Sequence, residues 1–294
     1  MPELFDREFV ISASGIRIAS RFLDERKNEN VLKVEFQIER NLKKDPSRAN
    51  ISIYNLTEEN RALFQTFDTL IEIEAGYRDN VSQIFSGTID FASSTLDGRD
   101  WVTTVQAGDG TKQFKEARVK TSLRGPVGIQ RVIKSISRAL GYKPGNLQQQ
   151  LDLGPLPRPK PPAGSKAKVT KRFFPKGVTL SGKAETLFTK YVQAFGLQWS
   201  VQDGSYLLLG PKETIGTNII VLRPDTGLIG SPQAGEKGFV NLRCLMQPEL
   251  LPARQIRIEA ANDVVNGDYR IERSVFKGDT WGSDWYVDVE ASPL

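Results

Sequence analysis

The sequence contains no histidine. That removes imidazole acid–base catalysis, histidine-dependent nucleophile triads and HExxH zinc sites together. A single cysteine, Cys244, excludes an internal disulfide and any multi-cysteine zinc site. It stands in the apolar stretch 240–246 and reads as a small core residue. No apolar run approaches the roughly 18 residues that a membrane span needs, so no stable membrane insertion is expected. The opening MPELFDREFV places Asp6, Arg7 and Glu8 where a signal peptide would carry its apolar core, which predicts synthesis in the cytoplasm without a secretory signal. Carboxylate or lysine chemistry remains formally open. However, the acids of "AGDGT" (107–111) and "GDTWGSD" (278–284) read as turn residues rather than as a glycosidase pair. The expectation is a protein without enzymatic activity, cofactor or metal.

What is present is alternation. Leu32, Val34, Phe36 and Ile38 alternate with Lys33, Glu35 and Gln37, the period of a half-buried strand. "NISIY" repeats it. Ile71, Ile73 and Ala75 face one way while Glu72 and Glu74 face the other. After a turn near Arg78–Asn80, the residues Phe85, Gly87, Ile89 and Phe91 are expected to share a face, and a second turn at Asp97–Gly98 leads into "WVTTVQA". Thr57 followed by two glutamates starts a short helix. Residues 1–110 thus read as an antiparallel meander closing into a β-barrel.

Over residues 111–215 the grammar becomes α/β. Ile129, Val132, Ile133, Ile136 and Leu140 recur at helical spacing up to Gly141, and Arg131, Lys134 and Arg138 make the opposite face basic. That face reads either as simply solvated or as turned to a partner. A second helix runs over Ala184–Phe195 to Gly196, and "LQWSVQDGSYLLLG" is a hairpin across Asp203–Gly204. Between the helices lies "LGPLPRPKPPAGSKAKVTKRFFPKG" (153–177), with no acid and the cations Arg158, Lys160, Lys166, Lys168, Lys171, Arg172 and Lys176. Its prolines forbid regular pairing and its charge attracts polyanions, so it is either a plain flexible loop or a contact for a partner or nucleic acid. Phe173 and Phe174 are expected to anchor its end on the module.

Residues 216–294 return to strands, and an internal echo appears. Ile-x-Ile-Glu-Ala at 71–75 is followed by Asp-Trp-x-x-x-Val-x-Ala at 100–107; both recur, at 256–260 and 284–291, with separations that differ by one residue. One barrel used twice is the reading.

"LIEIEAGYRDNVSQIFSGTID", the interposed helical module and "GDYRIERSVFKGDTWGSDWYVDVEA" resemble the baseplate hub proteins of contractile bacteriophage tails and related injection machines. The resemblance spans most of the chain. It implies a mainly β fold with an α/β middle module, and two tail-tube-like antiparallel β-barrels in one chain. It further implies a homotrimer joining the six-fold tail tube protein to a separate three-fold central spike protein, contacting other baseplate proteins and lining the channel through which DNA passes. On that reading the chain resides in the virion, at the tail baseplate. Glu72 and Glu74 are candidates for facing the lumen, where acid repels phosphate; otherwise they are ordinary solvent-facing residues. The basic cations of 153–177 are candidates for partner contact, and the helical module has a place outside the ring. The alternatives are a distal tail or tube-initiator protein forming a hexameric ring, and a nucleic-acid-binding protein, which the pI near 9.2 would suit.

Overall fold

Where the sequence alternates apolar with polar residues, the chain is extended. The computed structural model describes residues 6–20, 32–43, 46–66, 68–78, 80–109, 116–152, 173–261 and 263–294. The first stretch forms β1 (Arg7–Ala13), β2 (Ile16–Ala19), β3 (Val34–Asn41), β4 (Arg48–Tyr54), helix α1 (Glu58–Phe64), β5 (Leu70–Tyr77), β6 (Asn80–Asp97) and β7 (Asp100–Gly108). The middle forms β8 (Arg118–Arg124), β9 (Val127–Gly128), α2 (Ile129–Leu140), α3 (Leu147–Asp152), β10 (Phe173–Phe174), β11 (Gly177–Lys183), α4 (Ala184–Phe195), β12 (Gln198–Gln202) and β13 (Ser205–Leu209). The last stretch forms β14 (Ile215–Leu222), β15 (Leu228–Ala234), β16 (Val240–Leu245), β17 (Arg254–Ile258), β18 (Gly267–Asp279) and β19 (Trp285–Pro293).

The chain divides into two compact units, one made of Met1–Asp109 with Thr214–Leu294 and the other of Gly110–Glu213. The β-rich unit is one sheet of 13 strands whose main path runs β15-β16-β19-β18-β3-β4-β7-β6-β5-β1-β2. The β regions at the two ends of the sequence are joined directly, because β3 pairs with β18 from Glu35↔Asp279 to Asn41↔Arg273. Among the described residues every pairing in it is antiparallel except that of β14, which runs parallel to β17. The apolar members of each alternation form a single core, with Ile11, Ile38, Ile51, Ile73, Phe85, Phe276 and Trp285 all buried. Burying each such side chain stabilises the fold by about 1.5–3 kcal/mol.

The face expected to be shared by Phe85, Gly87, Ile89 and Phe91 breaks at its last member. Phe85, Gly87 and Ile89 do face the core, but Phe91 does not; it is 47% exposed. The pairing of β6 with β7 slips between Ile89 and Phe91, leaving Asp90 as an extra residue. A bulge of one residue reverses every side chain beyond it.

The other unit has its own core, in which α2 and α4 contribute Val132, Ile136, Phe188 and Val192. Gly141 and Gly196 end the two helices in the left-handed conformation (φ 77° and 94°), as their position after the last apolar residue predicts. Asp203 and Gly204, both at positive φ, turn the β12–β13 hairpin. Phe174 packs edge-on against Tyr191 at 6.0 Å, whereas Phe173 is half exposed, so only one of the two phenylalanines anchors the segment. The expectation that 153–177 makes no regular pairing fails at its end. Phe173 and Phe174 pair with Gly128 and Val127, and β11 begins at Gly177. The remainder, 153–172, lies outside the described residues.

Candidate assembly surface

The echo in the sequence is a repeat in the sheet. In the first half, the hairpin β3–β4 is followed by β5, β6 and β7, and the spatial order is β3-β4-β7-β6-β5. In the second, the hairpin β15–β16 is followed by β17, β18 and β19, ordered β15-β16-β19-β18, with β17 paired to β18. The registers coincide residue by residue. Ile71 and Ile73 on β5 oppose Gly87 and Phe85, while Ile256 and Ile258 on β17 oppose Tyr269 and Gly267 at the same steps. Trp101 opposes Leu96 and Trp285 opposes Gly278. Even the irregularity is shared: β6 slips past β7 at Asp90, and β18 slips past β19 at Glu272. Matching bulges in matching strands mark one folding pattern written twice, because a bulge is retained where it shapes the sheet.

The face of this sheet turned away from the core is polar. Across β18, β19, β16 and β3 it carries two groups of ion pairs. Arg243 donates to both oxygens of Asp288, at 2.6 and 3.2 Å, and Lys277 stands 3.5 Å from the same carboxylate. Arg273 donates to Glu39 at 2.7 Å. The Arg243 guanidinium also lies 3.9 Å over the Tyr286 ring. The Arg273 hydrogen bond holds the Glu39 carboxyl below the usual carboxylate range, against a partial burial that pushes the other way. Two shallow hollows of about 500 and 430 Å³ open on this face. The first lies beside Arg243, Arg273 and Glu290, the second beside Glu35, Asn50 and Lys277.

Glu72 and Glu74 lie on the same polar side, as their alternation predicts: Glu72 is half-buried and Glu74 exposed, opposite Ser86 and Gln83 of β6. They stand on β5, away from the ion-pair set. Among the basic candidates, Lys176 is exposed between β10 and β11. Arg158, Lys160, Lys166, Lys168, Lys171 and Arg172 lie outside the described residues. Sequence reasoning passed over Arg243, Asp288, Lys277, Arg273 and Glu39. Each sits at a polar step of an alternating strand, and only the strand register shows that opposite charges meet. Cys244 is fully buried between them on the core side, and burial pushes its thiol up to about 12. Among the described residues, no cluster of acids and cysteine is placed to hold a metal, and no helix is long and apolar enough to cross a membrane.

No protein-family model matches the chain, and no curated protein matches its sequence. Solved structures do share its fold. The 43 kDa tail protein of prophage MuSo2 from Shewanella oneidensis superposes with a TM-score of 0.64 at 8% identity, covering 98% of this chain and 97% of that one. A tail protein from Neisseria meningitidis gives 0.63 at 6% identity, again covering 98% and 97%. An E. coli component of the type VI secretion system, itself described as structurally similar to the T4 tail proteins gp27 and gp5, gives 0.53 at 7% identity over 97% of this chain and 76% of that one. The fold, including the repeated β region and the α/β module, is therefore one used by phage tail proteins.

Proposed function

We propose that the chain is a structural tail component: a baseplate hub in which three copies form a ring between the six-fold tail tube and a three-fold central spike. The observation that carries this is the repeat. One chain presents two equivalent five-strand arrangements side by side, so three copies offer six similar surfaces to one neighbour and three to another. The shared fold with tail proteins supports the same reading. No bond-making is assigned to it.

In such a ring the polar sheet face lines the channel. Its central cations, Arg243, Lys277 and Arg273, are each held by a carboxylate, so they present little free charge to a passing phosphate backbone. Glu72 and Glu74 extend that face as far as β5. The cations of 153–177, Lys176 among them, are assigned to contacts with surrounding baseplate proteins.

Native mass measurement on the purified chain tests the stoichiometry. The reading expects a species of three times the 32.8 kDa chain mass. A six-fold species would favour a tube-initiating ring, and a monomer at every concentration would remove the self-assembling role.

A further inference from the structure

The two repeats differ at one edge. In the second, the C-terminal half of β18 is paired on both sides, by β19 over Tyr269–Gly278 and by β3 over Arg273–Asp279. In the first, β6 pairs with β7 as far as Asp97, but among the described residues no strand pairs its other side beyond Ile89. The complementary half is left over as well. β3 is paired by both β4 and β18, whereas β15, its counterpart, is paired among the described residues by β16 alone. One junction is completed inside the chain, and the same two halves of a second junction stand open.

The side chains agree. At the completed junction Trp285 is buried at 2% exposure, donates from Nε1 to the Gly76 carbonyl at 3.1 Å, and meets the edge of Phe36 at 5.6 Å. Gly278 makes room for Phe36: a Cβ there would lie 2.3 Å from the ring. At the open half the equivalent Trp101 is 39% exposed, and Leu96, in Gly278's place, is 59% exposed. Ile229 on β15 is 40% exposed. On β15 the residue in Phe36's place is Pro232, adjoining Gln233 as Phe36 adjoins Gln37.

We propose that β6 of one copy pairs antiparallel with β15 of a second copy, in the register that β18 and β3 use within the chain. Lys277 opposes Gln37 and Phe276 opposes Ile38 in the completed junction. Thr95 therefore opposes Gln233, and Ser94 opposes Ala234. The register of β15 against β16 is irregular between Ile229 and Gln233, which confines regular pairing to the part of β15 beyond it. The occupant is a second copy because both missing halves are on this chain, and each already has a partner of matching pattern to show its register. Two different edges meeting head to tail do not stop at a pair, and they close into a ring where the rotation between copies closes. This deepens the hub reading and rests on the chain assembling with itself.

Disulfide trapping tests it in the full chain. The double variants Thr95→Cys/Gln233→Cys and Ser94→Cys/Ala234→Cys are oxidised mildly beside their single-substitution parents and beside Ser93→Cys/Gln233→Cys, which is two residues out of register. The buried Cys244 stays in place. In-register pairs should give covalent multimers on non-reducing gels, and the parents and the shifted pair should not. A multimer by native mass with no in-register cross-link, or with equal cross-linking of the shifted pair, overturns this seam and leaves self-assembly standing. A chain that never associates overturns both. Hydrogen exchange on the unmodified protein gives a second readout: segments 91–97 and 228–235 should slow together as concentration rises, and unchanged exchange in both across assembly refutes the pairing.

Discussion

Arg273 on β18 donates from Nε to Glu39 on β3 at 2.7 Å, an ion pair between residues 234 positions apart that spans the junction of the two repeats. Both side chains are about two-fifths exposed, so solvent screens the pair and its contribution is at most about 1 kcal/mol. The bond depresses the Glu39 carboxyl, and a carboxyl depressed on folding adds stability above its unfolded value, near 4.3, which is lost as pH falls through the folded one. A double-mutant cycle of Glu39→Gln and Arg273→Gln should give a coupling below about 1 kcal/mol at pH 7 that fades in acid. A coupling of several kcal/mol, or one that grows on acidification, would be contrary.

Gly278, buried near the end of a long strand, should tolerate no side chain. A methyl group there collides with the Phe36 ring, which is itself held against Trp285. Gly278→Ala is expected to cost about 1–3 kcal/mol in denaturant unfolding, the range for overpacking a filled site. Leu96→Ala, at the equivalent place in the first repeat, should change the stability of the dilute chain little.

Glu8 predicts a pH dependence of the opposite kind. It is buried in β1, Ser20 Oγ donates to its Oε2, and its Oε1 has no hydrogen-bond partner among the described residues. Burial, reinforced by Asp6 and opposed by Arg78, pushes the carboxyl up to about 7. A carboxyl raised on folding favours the fold fully below its unfolded value and loses that advantage as pH rises through about 7. Thermal unfolding of the native chain should therefore show a stability loss between pH 5 and 8, on the order of 2 kcal/mol, that Glu8→Gln removes. Equal pH profiles for the two proteins would contradict the assignment.

Much of the β unit was legible because strand burial follows a period of two. Ile71, Ile73 and Ala75 stand buried as their spacing predicts, and the paired motifs around Ile73 and Ile258, and around Trp101 and Trp285, occupy matching registers. The ends of α2 and α4 were legible because glycine is the residue that leaves a helix through positive φ. Phe91 was misplaced because the bulge at Asp90 exists only relative to β7, a strand ten residues further on. The parallel pairing of β14 with β17, the short β1–β2 hairpin and the direct joining of β3 to β18 depend on contacts that no local period encodes. The ion-pair set was illegible for the same reason: Arg243 and Asp288 are separate polar steps until β16 and β19 lie in register.

A reconstruction of an assembled particle containing this chain tests the central claim most directly. The account predicts three copies around the tail axis, with the β3–β7 and β15–β19 repeats of each at similar radius and the polar sheet face turned to the channel. Six copies around the axis, or a second repeat lying far from the channel, would contradict it.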